Sequence, residues 1–410
     1  MSKYLLLGEK LSHSLSPEIH RMLGNTDYSL AEMSRDSLPA FFAKRDFDGL
    51  NVTVPYKKDA FAACDGLSEI ARTLGSVNTV VKRPDGTLFG DNTDFFGFSY
   101  LLDRASIDVK NKKCLVIGNG GASATVCAVL KERGGYVKVI THSENNEAGL
   151  SPHFCDTEII VNTSPVGMFP NCDGAPVDLR RFCSLYAAVD LIYNPRRTDF
   201  ILEAADMGIL CSGGLPMLAA QAVRSDEIFF GRKRSGDIIE AIIEHIEQQT
   251  ANVVLVGMPG CGKTTVGKLV AKRSVRRFID IDEMIESSAE KSIPDIFSEV
   301  GESGFRRLEA DMIASFCGKL SGAVISTGGG SVLLPENIMH MRRNGIVFFI
   351  ERPTDELATE GRPLSDPATL GKMYEKRLPL YKKAADYTVS GASAGNAADR
   401  ICSILSDLGV

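Results

Sequence analysis

A chain of 410 residues is too long for one typical hydrophobic core and suits two or three. Its 44% hydrophobic and 24% charged residues are those of a globular protein, and a net charge of −6 leaves no basic field to hold nucleic acid or a membrane surface. Ten scattered cysteines with no Cys-x-x-Cys pair or zinc-type spacing, an apolar run at 4–7 too short for a signal-peptide core, and no apolar segment of bilayer length point to a cytoplasmic chain with reduced thiols.

In chain order, residues 1–97 alternate short β-like runs, at 51–54 and 79–82, with helical stretches. Ser14 and Ser16 flank Leu15 ahead of Pro17, and the simplest reading makes Ser16 the cap of a helix. Thr53, Pro55 and Lys57 close a strand, while Asn78 and Asp94 sit in the polar stretches 75–79 and 90–94. An isolated lysine or aspartate is ordinarily a surface residue. As a set, these supply hydroxyl-binding groups and a Lys57–Asp94 pair suited to proton transfer.

Residues 98–214 have the pattern of a dinucleotide-binding unit. The run 114–117 leads into Gly118-Asn119-Gly120-Gly121-Ala122 and then a helical stretch, the strand–turn–helix arrangement that receives a pyrophosphate. The next strand, 137–140, ends at Thr141-His142-Ser143 with Glu144 just beyond, so no ribose-binding acid is expected at the strand end itself. Residues 215–247 are helical and are expected to pack back on 1–97, with a site in the cleft between the two lobes. Isoleucines 238, 239, 242, 243 and 246 recur at helical spacing, and 248–251 reads as a linker.

A second unit is expected over 252–410. The run 253–256 leads into Gly257-Met258-Pro259-Gly260-Cys261-Gly262-Lys263-Thr264, a complete Walker A loop. Gly257, Gly260, Gly262 and Thr265 belong to the nucleotide site, Lys263 reaches the β and γ oxygens of ATP, and the Thr264 hydroxyl suits Mg²⁺. Cys261 is simply a small residue that fits. Such a loop specifies a nucleotide but no acceptor. Asp280 and Asp282 alternate at the end of a strand, which would turn both carboxylates into one site. Arg306, Gly328-Gly329-Gly330, Arg362-Pro363-Leu364 and Arg377 follow, in contexts that suit carboxylate or phosphate clamps.

These motifs resemble two families. From about residue 3 to 247, the stretches 13–17, 51–57, 75–79, 90–94, 118–123, 162–168, 190–195 and 214–222 resemble shikimate dehydrogenase. The resemblance implies that Ser14, Ser16, Thr53, Asn78, Asp94 and Gln221 hold the substrate ring. It puts Tyr193 at the carboxylate end and makes Lys57 and Asp94 the catalytic pair. Gly118, Gly120, Gly121, Ala122, Thr141, His142 and Ser143 would then bind NADP, with NAD the alternative. Relatives that prefer NADP often carry Asn-Arg-Thr where this chain has Thr141-His142-Ser143, so a histidine replaces the arginine that holds the 2′-phosphate.

From about residue 252 to 390, the Walker A loop, the Phe278/Asp280/Asp282 motif and the stretches 301–306, 326–331, 362–364 and 376–381 resemble shikimate kinase. By that resemblance Asp282, Arg306, Gly329, Gly330 and Arg377 hold shikimate, Asp280 assists Mg²⁺, and Arg362 reaches the transferring phosphate. The stretch between Leu357 and Arg362 is shorter than in relatives and lacks an arginine near Thr359, which implies weaker nucleotide binding or lid closure.

The expected architecture is therefore α/β. A two-lobed dehydrogenase has a substrate lobe (1–97 plus 215–247) and a Rossmann-like NAD(P) lobe (98–214), followed by a P-loop kinase domain with a parallel sheet. The implied function is reduction of 3-dehydroshikimate to shikimate, then phosphorylation of shikimate. The alternatives are that one half only binds ligand, or that the first half prefers quinate. Oligomeric state is not legible in the sequence.

Overall fold

The computed structural model describes every residue except 1, 2, 12, 13, 358–366 and 392. It divides into two compact units. The first comprises Met1–Gly167, Gly174–Tyr193 and Glu203–Ile243, and the second Met168–Asp173, Asn194–Leu202 and Glu244–Val410.

The first unit is built on two sheets. Strands β1 (Tyr4–Gly8), β2 (Tyr28–Glu32), β3 (Gly49–Val52), β4 (Gly66–Leu67), β5 (Thr79–Lys82) and β6 (Leu88–Asp91) form a mixed sheet in the order β2-β1-β3-β5-β6-β4. Strand β1 is parallel to β2 and β3, and β5 is antiparallel to β3 and β6. Strands β7 (Lys113–Ile117), β8 (Tyr136–Ile140), β9 (Ile159–Asn162), β10 (Ala187–Asp190) and β11 (Leu210–Ser212) form a wholly parallel sheet in the order β11-β10-β9-β7-β8. Cys114, Leu115, Val116 and Ile117 are all buried, as a parallel strand covered on both faces requires. Ile117 pairs with Ile140 on one side and Asn162 on the other, so β7, β8 and β9 end level. Chain order reverses about β7, which makes this edge the switch point where α/β sheets bind ligands.

The helix Leu215–Phe230 packs as the sequence suggests. Near its end Phe229 joins Tyr4, Leu6, Leu11 and Tyr28 in one core cluster, a burial worth about 2–3 kcal/mol for such a side chain. At its other end Met217 joins the cluster around β7 and β9. One helix thus ties the two sheets of this unit together.

Three local expectations differ. The strand expected at 51–54 stops at Val52, and Val54 is 66% exposed because residues 53–56 turn away. Leu15, not Ser16, stands at the cap of the helix Ser16–Met22, and no side chain among the described residues caps it; Pro17 in the first turn removes one N–H that would need a partner. The helix Ile238–Thr250 runs through the expected linker almost to β12, because the Arg276 guanidinium holds the Gln248 carbonyl (2.7 Å) and that of Ala251 at its C-terminal end.

The second unit carries β12 (Asn252–Val256), β13 (Arg277–Asp280), β14 (Ala323–Ser326), β15 (Gly345–Glu351) and β16 (Tyr387–Ser390) in the order β13-β14-β12-β15-β16, all parallel. Central β12 is fully buried, and its one polar side chain, Asn252, is satisfied by the Leu320 carbonyl and the Ala323 N–H. The segments 168–173 and 194–202, which the sequence reading grouped with 98–214, belong to this unit. Arg343, 5% exposed, ties them there through Asp199 (2.8 Å) and Asp173 (2.7 Å), since a buried guanidinium needs carboxylate partners.

Candidate active sites

In the first unit several elements converge on one charged pair. Lys57 opens the helix Lys57–Ala63, placed by a turn in which the Tyr56 N–H donates to the Thr53 carbonyl at 3.0 Å. Asp94 opens the helix Asp94–Arg104, where the positive helix end favours a carboxylate. Lys57 Nζ lies 2.5 Å from Asp94 Oδ2, with the side chains 18% and 11% exposed. The other oxygen, Oδ1, accepts from Asn78 Nδ2 at 2.9 Å. The Asp94 carboxylate is therefore fixed on both sides, and the Lys57 ammonium has spent one of its three donors on it.

Asn78 is held in turn. Its Oδ1 accepts from the Thr93 N–H at 2.8 Å, and its carbonyl accepts from Asn51 Nδ2 at 3.4 Å. Buried Asn51 also accepts from the Tyr28 hydroxyl at 2.8 Å. His20 stacks on Tyr28 with ring centroids 3.9 Å apart, and burial pushes its imidazole down to about 3, so it is a neutral packing group. Gln221 reaches this network through Thr93, whose hydroxyl donates to Gln221 Oε1 at 3.4 Å.

Ser14 and Ser16 sit together, with the Ser14 hydroxyl accepting from the Ser16 N–H at 3.3 Å. No hydrogen bond among the described residues links them to Lys57. Tyr193 follows Asp190, whose carboxylate holds the Ile192 N–H at 3.0 Å. The Ile192 carbonyl accepts from Gly214 N–H at 2.9 Å, so the Tyr193 loop lies against the start of the helix that carries Gln221. Burial raises the Tyr193 phenol above its ordinary value.

At the switch point, Gly118 N–H donates to the Ile140 carbonyl at 2.9 Å, which joins the glycine loop to the end of β8. Gly120 caps the helix Gly121–Glu132, with Ala122 in its first turn. No heavy atom lies within 4 Å of where a Cβ on Gly120 or Gly121 would stand, so an anion can approach the helix N–H groups. The Thr141 and Ser143 hydroxyls are 3.1 Å apart. Contrary to expectation, an acid does occupy the strand end: a 3₁₀ turn brings Glu144 back, and its Oε2 accepts from the Thr141 N–H (3.0 Å) and hydroxyl (2.7 Å). The side chain of His142 lies outside the described residues.

In the second unit, Lys263 opens the helix Lys263–Ser274 and turns its ammonium back on the carbonyls of Gly257 (2.9 Å) and Met258 (3.0 Å). Gly257, Gly260 and Gly262 all have positive φ, as a wrapped phosphate loop demands. Thr265 is exposed in the first helical turn, and the Thr264 hydroxyl donates to Asp280 Oδ2 at 2.7 Å. Asp282 does not lie on the strand as expected. Strand β13 stops at Asp280, which caps the helix Ile281–Ala289 by accepting from the Asp282 N–H at 3.0 Å, so a capping turn, not strand alternation, brings the carboxylates close. Burial, then the Asp280 charge, push Asp282 up to about 6, against the pull of Lys263.

The loop Gly328-Gly329-Gly330 is where the remaining groups meet, and its lack of side chains has a steric cause. A Cβ would fall 2.3 Å from Glu309 Oε1 at Gly328, 2.5 Å from the Pro259 ring at Gly329, and 2.2 Å from the Arg306 guanidinium carbon at Gly330. The loop is pressed between the phosphate loop and the charged groups. The Gly329 carbonyl accepts from Arg377 Nη1 (3.0 Å) and the Tyr381 hydroxyl (2.5 Å). Residues Ile293–Lys319 are helical but bend at Gly301, whose φ of 69° glycine alone adopts readily. Arg306 and Glu309, one turn apart after the bend, form an ion pair at 2.7 Å. Arg362 lies outside the described residues.

Glu309 went unnoticed in the sequence, where Tyr381 stands only as the end of the 376–381 motif, without a role. Glu309 is fully buried, its Oε1 has no hydrogen-bond partner among the described residues, and burial raises its carboxyl. Its i+3 spacing from Arg306 was the available signal. Tyr381 stacks on Phe349, with centroids 5.1 Å apart.

Comparison with known proteins points to one family for each part of the chain. The family model for the shikimate dehydrogenase substrate binding domain matches residues 6–80, and that for shikimate kinase matches residues 259–406. A shikimate dehydrogenase (NADP(+)) of Caldicellulosiruptor bescii is 36% identical over 260 residues, covering 56% of this chain and 90% of the relative. The crystal structure of a chorismate mutase/shikimate 5-dehydrogenase fusion protein from Clostridium acetobutylicum superposes with a TM-score of 0.55 at 33% identity, over 60% of this chain and 98% of that one. A Thermus thermophilus shikimate 5-dehydrogenase in complex with NADP(H) and shikimate superposes with a TM-score of 0.53 at 31% identity, over 60% and 99%. The chain belongs to the shikimate dehydrogenase family over its N-terminal part and carries a shikimate kinase domain behind it.

Proposed function

We propose that this chain performs two consecutive steps on one small cyclohexene acid: NADPH-dependent reduction of 3-dehydroshikimate to shikimate, then transfer of the γ-phosphoryl group of ATP to the shikimate 3-hydroxyl. One juxtaposition carries the reading. A single chain holds both a half-buried Lys57–Asp94 pair and a phosphate-loop lysine, Lys263, beside Asp282 and Arg306, so the hydroxyl made at the first site is the acceptor at the second. We assign 1–97 with 215–247 as the substrate lobe, 98–214 apart from the segments 168–173 and 194–202 as the NAD(P) lobe, 248–251 as the join and 252–410 together with those two segments as the kinase domain.

In the reduction, bound NADPH supplies the hydride to the carbonyl carbon. Lys57, oriented by Asp94 and through it by Asn78, delivers the proton to the new alkoxide oxygen or organises its path. Ser14, Ser16, Thr53, Asn78 and Gln221 hold the ring hydroxyls, and Tyr193 lines the carboxylate end. Gly118, Gly120, Gly121 and Ala122 offer the helix N-terminus to the pyrophosphate, with Thr141, His142 and Ser143 at the adenosine ribose.

In the kinase domain Arg306 and Arg377 grip the shikimate carboxylate beside Gly329 and Gly330, and Asp282 accepts from the reacting hydroxyl. Gly257, Gly260, Gly262, Lys263 and Thr265 hold the phosphates. The Thr264 hydroxyl and Asp280 carboxylate, 2.7 Å apart, are hard oxygen donors that fit Mg²⁺, which neutralises phosphate charge when bound. Catalysis is then mostly positioning and charge stabilisation, and Arg362 is assigned to the transferring phosphate by the family resemblance alone.

Single-site variants of the full chain test the division of labour. Lys263→Ala is expected to reduce 3-dehydroshikimate normally and accumulate shikimate, while Lys57→Ala phosphorylates added shikimate at the parental rate but oxidises NADPH about 10²–10⁴ times more slowly. Loss of both activities in either variant would contradict two independent sites.

A further inference from the structure

The end of β8 carries a feature that the dehydrogenase reading leaves unused. We infer that Glu144 sets the cofactor selectivity of the first unit by placing a carboxylate where the adenosine ribose docks, so that the chain discriminates weakly between phosphorylated and unphosphorylated ribose. The inference rests on the dehydrogenase reading, and three observations carry it. First, Ile117 and Ile140 are paired and Gly118 N–H bonds the Ile140 carbonyl at 2.9 Å, so Thr141 begins one residue from the loop that receives the pyrophosphate. Second, Glu144 Oε2 is pinned by the Thr141 N–H and hydroxyl at 3.0 and 2.7 Å, and its own N–H bonds the Thr141 carbonyl at 3.1 Å, which makes a closed turn. Third, the space beside Gly120 and Gly121 is open, so a ligand can reach this edge.

A carboxylate at this strand end has defined chemistry. It accepts hydrogen bonds from a ribose 2′-hydroxyl and repels a 2′-phosphate. Here it also occupies the Thr141 N–H and hydroxyl, two of the donors a phosphate would need. The Thr141 hydrogen bonds, and to a lesser degree the Lys138 charge on the same strand, hold the Glu144 carboxyl below its ordinary value, so it is ionised when a phosphate approaches. Exposed charges a few ångströms apart in salt water differ in effect by about threefold to tenfold in affinity. Glu144 therefore tempers a preference for NADP without abolishing its use.

The test is Glu144→Gln in the full chain, read first by calorimetric binding of adenosine 2′,5′-bisphosphate and of 5′-AMP, and then by the ratio of kcat/KM for NADP⁺ and NAD⁺ with shikimate. The substitution is expected to tighten the bisphosphate about threefold to tenfold, leave 5′-AMP unchanged or slightly weaker, and shift the kcat/KM ratio towards NADP⁺ by a similar factor with the KM for shikimate unmoved. Unchanged affinity for both probes and an unchanged ratio would overturn the inference while leaving the dehydrogenase intact. Hydride transfer with neither cofactor in the unmodified chain would overturn the dehydrogenase reading itself.

Discussion

Replacing Asp282 by asparagine is expected to make the second unit more stable and its chemistry much slower. Burial, and then the neighbouring charge of Asp280, push this carboxyl from its ordinary 3.8 up to about 6. A carboxyl raised in this way is one that the fold prefers to keep protonated. Below about pH 4 folded and unfolded chains both carry the proton, and no penalty exists. As the pH rises the unfolded chain ionises first, and the folded state loses about 3 kcal/mol of relative stability by the time the pH passes about 7. Asparagine keeps the shape and cannot ionise. Allowing about 1 kcal/mol at every pH for burial of its amide, Asp282→Asn should gain about 2 kcal/mol at about pH 8, only about 0.5 kcal/mol at about pH 5, and should be about 0.5 kcal/mol less stable than the parent at about pH 4. Phosphoryl transfer should fall by about 10²–10⁴, the usual worth of a proton acceptor. With no tryptophan in the chain, urea unfolding is best followed by circular dichroism at several pH values, alongside kinase rates. A variant no more stable than the parent at about pH 8, or equally stabilised at every pH, would refute the account of Asp282 as a strained, ionised base.

Three other outcomes follow from the geometry. Lys57→Ala should lower dehydrogenase turnover by about 10²–10⁴ while the KM for shikimate moves only a few fold, and equal losses in both would reduce Lys57 to a binding group. Tyr381→Phe removes one of the two donors on the Gly329 carbonyl, so the kinase KM for shikimate should rise about fivefold to twentyfold with little change in kcat; unchanged KM would separate Tyr381 from acceptor binding. Gly329→Ala drives a methyl to 2.5 Å from the Pro259 ring, so kinase activity should be lost while dehydrogenase rates stay at the parental level.

Much of this was legible in the sequence, for identifiable reasons. The phosphate loop and the Gly118 loop each depend on backbone placed between a buried strand and a helix, and both the apolar runs and the glycines are local features. The Lys57–Asp94 pair was readable because both residues lie in distinctive polar stretches. Side-chain returns were not readable. Glu144 lies four residues past the end of β8, and only the 3₁₀ turn brings its carboxylate back to Thr141. Asp282 was assigned to a strand because alternate acids suggest one face, whereas Asp280 ends the strand and caps the next helix. Glu309 shows nothing in isolation. Its role depends on a bend at Gly301 and on a glycine loop more than ten residues further along the chain.

The central claim is that two sites on one chain handle the same acid in succession. It is tested most directly in a single reaction containing the purified chain, 3-dehydroshikimate, NADPH, ATP and Mg²⁺. The predicted result is shikimate 3-phosphate, with one ATP consumed for each NADPH oxidised at completion. Shikimate that accumulates while ATP stays untouched, or NADPH that is never oxidised, would contradict it.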